Sequence, residues 1–138
     1  MRIAQGRLEV ATAGQGFYEL TSQAAAWVAE QGVGTGLLTL FIRHTSASLL
    51  IQENAAPAAR LDLEAYIAQI APESAAYEHD DEGADDMPAH LRSALTGTQL
   101  SIPVSDGRPR LGRWQGIFLF EHRHHTPERE IALHLIGE

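Results

Sequence analysis

Thr35–Arg43, TGLLTLFIR, and Ser46–Glu53, SASLLIQE, stand on either side of His44-Thr45, and the fold is read outward from them. The first run is β-rich and apolar on both faces in its middle, which predicts a central strand. The second predicts another strand. Upstream, residues 1–10 set Ile3, Leu8 and Val10 among polar neighbours and read as a first strand. Thr21 or Ser22 can cap a helix over 22–31, with Ala24, Ala25 and Val28 on its inner face and Gly32 and Gly34 at its end.

Downstream, Asn54 is the expected cap of a helix that tolerates Pro57 in its first turn and stops at Pro72. Ala59, Leu63, Tyr66, Ile67 and Ile70 follow helical spacing and predict packing by one stripe. An acidic loop covers 71–87. Pro88 opens a short helix through Leu95, and Gly97 closes it. The last third reads as β. Leu100, Ile102 and Val104 alternate, and Asp106-Gly107 marks a hairpin whose flanking Arg-Pro suggests a loop slightly longer than two residues. Trp114–Glu121 returns as a strand, and Glu130–Ile136 turns Ile131, Leu133 and Leu135 inward. Strands and helices mix without a regular βαβα beat. The expected class is therefore α+β, a compact sandwich of mostly antiparallel sheets with about three helices.

The 138 residues read as a single domain, 1–138. Without cysteine, any metal must sit on His, Asp, Glu or water, which suits zinc at a His-rich site and magnesium or manganese at a carboxylate-rich one. A formal net charge of −8 opposes a nucleic-acid partner. A small phosphorylated ligand needs only a few local donors and stays open. No apolar run approaches the ~20 residues of a membrane span, and the N-terminus carries no export pattern. No membrane partner is expected, and a cytoplasmic location is.

The densest constellation is His79, Asp80, Asp81, Glu82, Asp85, Asp86 and His90. Asp86 and His90 lie four apart across a helix start, and His79 sits in a loop able to fold back over that turn. Such convergence builds open His/carboxylate metal sites. The same residues fit a capping Asp in a solvated loop equally well. His44 ends a core strand beside Thr45, Ser46 and Ser48, a candidate ligand or acid/base group next to hydroxyls that can bind phosphate. A strand-turn His held by its neighbours is the plainer alternative. Neither serine stands in a Gly-x-Ser-x-Gly elbow, so a nucleophile there is the weaker reading. In LGRWQGI, Gly112 and Gly116 allow close backbone approach, Gln115 offers a donor and an acceptor, and Trp114 a flat wall. A packed Trp between two bulge glycines explains the same pattern equally well. Glu121 and Arg123 share a strand face, and His124-His125 are expected in an exposed loop ahead of Pro127.

HTSASLLIQENA (44–55), YEHDDEGADDMPAHLRSALTG (77–97), IPV (102–104), LGRWQGIFLFEHR (111–123) and the closing strand to Gly137 follow one another in order. Over nearly its whole length the chain thus resembles the YjbQ family, also called the secondary thiamine-phosphate synthase enzyme family. The resemblance implies a small α+β sandwich assembling as a homotrimer, with a His-bearing, often metal-occupied site near a subunit boundary. It also implies a weak thiamine-phosphate synthase activity that need not be the native role. The motifs carry over to His44, to His79, Asp85, Asp86 and His90, and to Gln115, Glu121 and Arg123.

On that reading a divalent ion, zinc or magnesium, sits on His44, His79 and His90. Asp85, Asp86 and Glu121 supply catalytic carboxylates. Ser46, Trp114, Gln115 and Arg123 contact the substrate, and Arg123 and the helix start at 88 grip phosphate. Two alternatives stand beside it: a non-catalytic metal- and anion-binding trimer, and a metal-dependent hydrolase of a phosphorylated metabolite.

Overall fold

The computed structural model describes residues 1–125 and 128–138. It is an α+β sandwich of two antiparallel sheets with three helices. The strands are β1 (Arg2–Val10), β2 (Gly16–Glu19), β3 (Gly36–Ile42), β4 (Ala47–Glu53), β5 (Gln99–Ser105), β6 (Arg108–Pro109), β7 (Gln115–Glu121) and β8 (Arg129–Gly137). One sheet runs β1-β8-β3-β5-β6 and the other β2-β7-β4. The helices are α1 (Thr21–Glu30), α2 (Pro57–Ile70) and α3 (Asp86–Thr96).

Period-2 alternation sets the core. Leu38, Leu40 and Ile42 of β3, Ile131, Leu133 and Leu135 of β8, and Ile102 and Val104 of β5 meet Ala47 and Leu49 of β4 and Ile117 and Leu119 of β7. Ala24 and Val28 of α1 join the same cluster. The opposite face of the smaller sheet carries Phe17, Phe118 and Phe120, with the Phe17 and Phe120 rings stacked at 4.1 Å.

β3 is central in its sheet, as its sequence predicts. Its second apolar face is nevertheless exposed, through Leu37 and Phe41. Ile3 departs from its expected role for the same reason of parity. Leu8 and Val10 share one face of β1, whereas Ile3 lies on the other and is 65% exposed.

Other differences are local. β2 has only four residues, the first of them the positive-φ Gly16, and is too short to show a period. Asn54 does not cap α2. Its amide donates to the Arg113 and Gln115 carbonyls, and Ala56 is the N-cap ahead of Pro57. Thr21 does not cap α1 either: its hydroxyl accepts from the Ile117 N–H, and Leu20 holds the cap position. The β5–β6 loop is a two-residue turn, not a longer one, because Asp106 and Gly107 both take positive φ and Ser105 pairs with Arg108. Pro109 is accommodated because β6 is an edge strand. The α2 stripe packs less than expected, since Ile67 is its one buried residue and Tyr66 and Ile70 are exposed. Among the described residues no helix is long and apolar enough to cross a membrane.

Candidate functional site

The acidic loop folds over the start of α3 and is fastened there by the chain leaving β7. Asp85 occupies the N-cap position, but neither it nor Asp86 makes a side-chain capping bond. Both carboxylates turn to Arg123 instead. Arg123 Nη1 donates to Asp86 Oδ1 at 2.6 Å, Nε to Asp85 Oδ2 at 3.1 Å and Nη2 to the Glu82 carbonyl at 3.0 Å. The His124 backbone N–H adds a fourth bond, to Asp85 Oδ2 at 2.8 Å. Charge-assisted bonds of this kind order a loop that has little apolar surface of its own.

Asp86 is buried, and its free oxygen faces two imidazoles. His79 Nε2 lies 2.8 Å and His90 Nε2 3.2 Å from Asp86 Oδ2. His90 Nδ1 is 2.9 Å from the Thr45 carbonyl. A carbonyl can only accept, so Nδ1 carries a proton, and Nε2 faces the cluster, donating to Asp86 when the ring is charged and offering a lone pair to a metal when it is neutral. Metal-binding histidines are oriented in this way by an outer partner. Ligand atoms of His79, Asp86 and His90 all lie within 4.8 Å of one another. Two imidazoles and a carboxylate match the donor set of an open zinc site. Burial opposes ionisation of Asp86, but the His79 hydrogen bond and the His90 and Arg123 charges outweigh it and hold its pKa below the ordinary range. Asp85 is likewise held low: burial opposes this, but the His124 N–H and Arg123 overcome it. The hydrogen bond to Asp86 raises the His79 pKa, so a metal arriving there displaces a firmly held proton.

His44 is not part of this cluster. Its Nε2 accepts the Glu130 backbone N–H at 2.8 Å, which places the ring proton on Nδ1, facing Arg129 at 3.3 Å. Burial and the Arg129 charge lower its pKa. It is Asp86, and not His44, whose ligand atom converges with those of His79 and His90.

Glu121 also differs from its expected setting. It does not share an open face with Arg123. It points between the two sheets, fully buried, and is paired with the equally buried Arg129 through Nε at 2.7 Å and through Nη2. Thr12 donates to it, as do the backbone N–H groups of His122 and Arg123. Glu121 is thus the anchor that sets the start of the Arg123 segment. Ser46 Oγ accepts from Arg129 Nη2 at 3.0 Å and belongs to the same plug.

Trp114 and Gln115 stand at the other end of β7, roughly 20 Å from Glu121 at about 3.3 Å per strand residue. Trp114 is 53% exposed under the Arg113 guanidinium, and Gln115 Oε1 accepts the Gly112 N–H. The close approach expected at Gly116 is present: an added Cβ would lie 2.9 Å from the Phe118 ring. His124 and His125 are exposed, and Pro127 lies outside the described residues.

Arg129 and His122 were not candidates in the sequence, because a buried polar residue at a strand end has no distinctive spacing. His122 is buried with Nε2 2.9 Å from Ser48 Oγ. Burial, then the Arg92 and Arg129 charges, push its pKa down to about 3. The unfolded chain takes up a proton near pH 6.5 that the native state refuses, so this contribution to stability is complete above that pH and falls as the solution is acidified toward pH 3. Urea unfolding should give a free energy about 1.5 kcal/mol lower at pH 5 than at pH 6.5 from this group. His122→Gln should remove that increment, and an unchanged pH slope in the variant would refute the assignment.

A family model described as UPF0047 protein YjbQ-like matches residues 6–138. A UPF0047 protein of Synechocystis sp. is 52% identical over 132 residues, covering 95% of this chain and 90% of that protein. The UPF0047 protein YjbQ of Escherichia coli O157:H7 is 44% identical, over 97% of this chain and 98% of that one. Among solved structures, a YbjQ-like protein of unknown function from Sulfolobus solfataricus superposes with a TM-score of 0.92 at 26% identity, covering 99% of each chain. A conserved hypothetical protein from Thermus thermophilus gives 0.85 at 38% identity, over 95% of this chain and 99% of that one. With its sandwich, its motifs and these relatives in agreement, the chain belongs to the YjbQ-like UPF0047 family.

Proposed function

We propose that His79, Asp86 and His90 hold a divalent metal ion, and that the site acts on a small phosphorylated molecule. The activity is a weak thiamine-phosphate synthase reaction, joining a pyrimidinylmethyl diphosphate to a thiazole phosphate with loss of pyrophosphate. One observation carries this reading: two imidazole nitrogens and a buried carboxylate oxygen converge, with the His90 tautomer fixed by Thr45. Two nitrogens and one oxygen favour zinc over magnesium, which prefers oxygen and water. When bound, the ion supplies positive charge against a leaving pyrophosphate.

The chain's own residues prepare that setting. Arg123 engages one oxygen of Asp86 and leaves the other for the cluster. Asp81 and Glu82 lie at 3.6 and 2.9 Å from His79 nitrogens and would repel a bare anion, so the phosphorylated molecule needs the cation. Trp114 and Gln115 are too far away to wall the cluster of their own chain. A homotrimer in which a neighbouring copy brings them to the site reconciles their motif with its position.

The test is metal analysis of the purified protein, followed by pyrophosphate release from the two thiamine precursors. Wild type should carry stoichiometric metal and turn over. His79→Ala should lose both, with turnover down roughly 100-fold or more, as for other lost electrostatic contacts to a transition state. Turnover unchanged in His79→Ala would refute the site. Bound metal without turnover would leave a metal- and anion-binding protein.

A further inference from the structure

α2 lies over the phenylalanine face of the smaller sheet without closing on it. Between them is a cavity of about 420 Å³, lined by Leu61, Glu64, Ala68, Glu73, Arg92 and Phe120 among others. That volume suits a one-ring molecule or a short chain. The gap explains why the apolar stripe of α2 buries so little of itself.

The charges around the cavity do not balance. Arg92 is buried, but its Nε and Nη2 donate to the Ala71 carbonyl, and Glu73 Oε2 stands 3.9 Å away. Glu73 is also bonded by His124 and by Gln15. These groups satisfy one another. Glu64 has the Phe17 backbone N–H, and Arg60 acts on it only through its field. The Arg60 Nη1 donates elsewhere, to the Glu53 carbonyl, and its guanidinium covers Phe118. Gly16 lets Glu64 come close, since a Cβ there would lie 3.2 Å from Oε1. A carboxylate has about four lone-pair sites, so among the described residues most of the acceptor capacity of Glu64 is unused. Burial accordingly raises its pKa, the cost of a charge lacking a partner.

The floor is aromatic. Phe120 lies in the cavity wall and stacks on Phe17. Its two faces are taken by the Phe17 ring, at 4.1 Å, and the His122 ring, at 4.4 Å, so it meets the cavity through its apolar edge, and a carboxylate beside such a wall makes a site for an organic cation with an apolar body.

We propose that this cavity is a second small-molecule site, taking an organic cation whose apolar ring or chain lies on Phe120, Ile67 and Ala68 and whose ammonium or amidinium group meets Glu64. The site is separate from the histidine cluster and needs no metal.

Benzylamine serves as probe and benzyl alcohol as its uncharged counterpart, with binding to the full chain followed by NMR titration at neutral pH. Benzylamine should bind saturably and at least tenfold tighter than the alcohol, with shifts at Phe120 and Ala68, and a chelator should not alter this. Glu64→Gln should abolish the preference for the amine. Ala68→Phe, on an exposed helix position, should fill the cavity and reduce binding of both probes at least tenfold while circular dichroism reports an intact fold. No saturable binding, equal affinity for the two probes, or an amine preference that survives Glu64→Gln would overturn the proposal.

Discussion

Asp86→Ala is expected to lower divalent-metal affinity by about 100-fold or more, beyond the roughly 10–100-fold that follows loss of an outer-shell partner. Asp86 is the one residue that touches every other member of the cluster: His79, His90 and Arg123 all bond to its carboxylate. Its removal deletes one of the three proposed ligands and frees His79 to turn into solvent. It also leaves Arg123 with a single carboxylate partner, Asp85. Asp85→Asn is the comparison. Asp85 is outside the proposed ligand set but accepts from Arg123 and the His124 N–H, so its loss should cost no more than about tenfold, the lower end for an outer partner. Competition titration against a chromogenic zinc chelator measures both. Equal effects in the two variants would show that loop order, and not ligation, governs affinity. No effect in Asp86→Ala would remove the metal site altogether.

Glu121→Leu is expected to destabilise the fold by about 3–5 kcal/mol, the cost of leaving one member of a buried ion pair alone. The Arg129 guanidinium would remain buried between the sheets, with Ser46 as its acceptor and no carboxylate partner among the described residues. The Thr12 hydroxyl and the N–H groups of His122 and Arg123 would lose an acceptor as well. The double variant Glu121→Leu/Arg129→Met should recover a substantial part of the loss, because a buried pair replaced by apolar groups is often near neutral in stability. Urea unfolding of the three variants decides. A double variant as unstable as the sum of the singles would mean that the pair has no coupling. The double variant should still bind metal less well than wild type, since the His122 and Arg123 N–H groups would lose the carboxylate that holds them.

Both predictions separate two polar systems that lie side by side in the sequence. His44, Ser46 and Glu121 look like site residues because they end core strands next to the histidine-rich motifs. In the fold they form the plug that closes one end of the sandwich, whereas Asp86 completes the cluster. Spacing along one strand tells which residues share a face. It does not tell whether that face meets another sheet or solvent.

The sequence by itself determined the class of fold and pointed to the stretch in which the candidate cluster lies. Strict alternation in β5 and β8 and a central apolar run in β3 leave few alternatives to an antiparallel sandwich, because a one-residue slip would turn the core outward. The four-residue spacing of Asp86 and His90 brings them together as soon as α3 forms. Tertiary structure alone decided what depended on distant partners: Arg123 reaching the acidic loop, Thr45 setting the His90 tautomer, Arg129 claiming Glu121, and α2 standing off the sheet over a cavity. Most join residues far apart in the chain, and Arg129 and Glu121, eight residues apart, meet across the two sheets that β8 and β7 belong to. Such contacts arise from how the sheets and helices pack, and no local pattern encodes them.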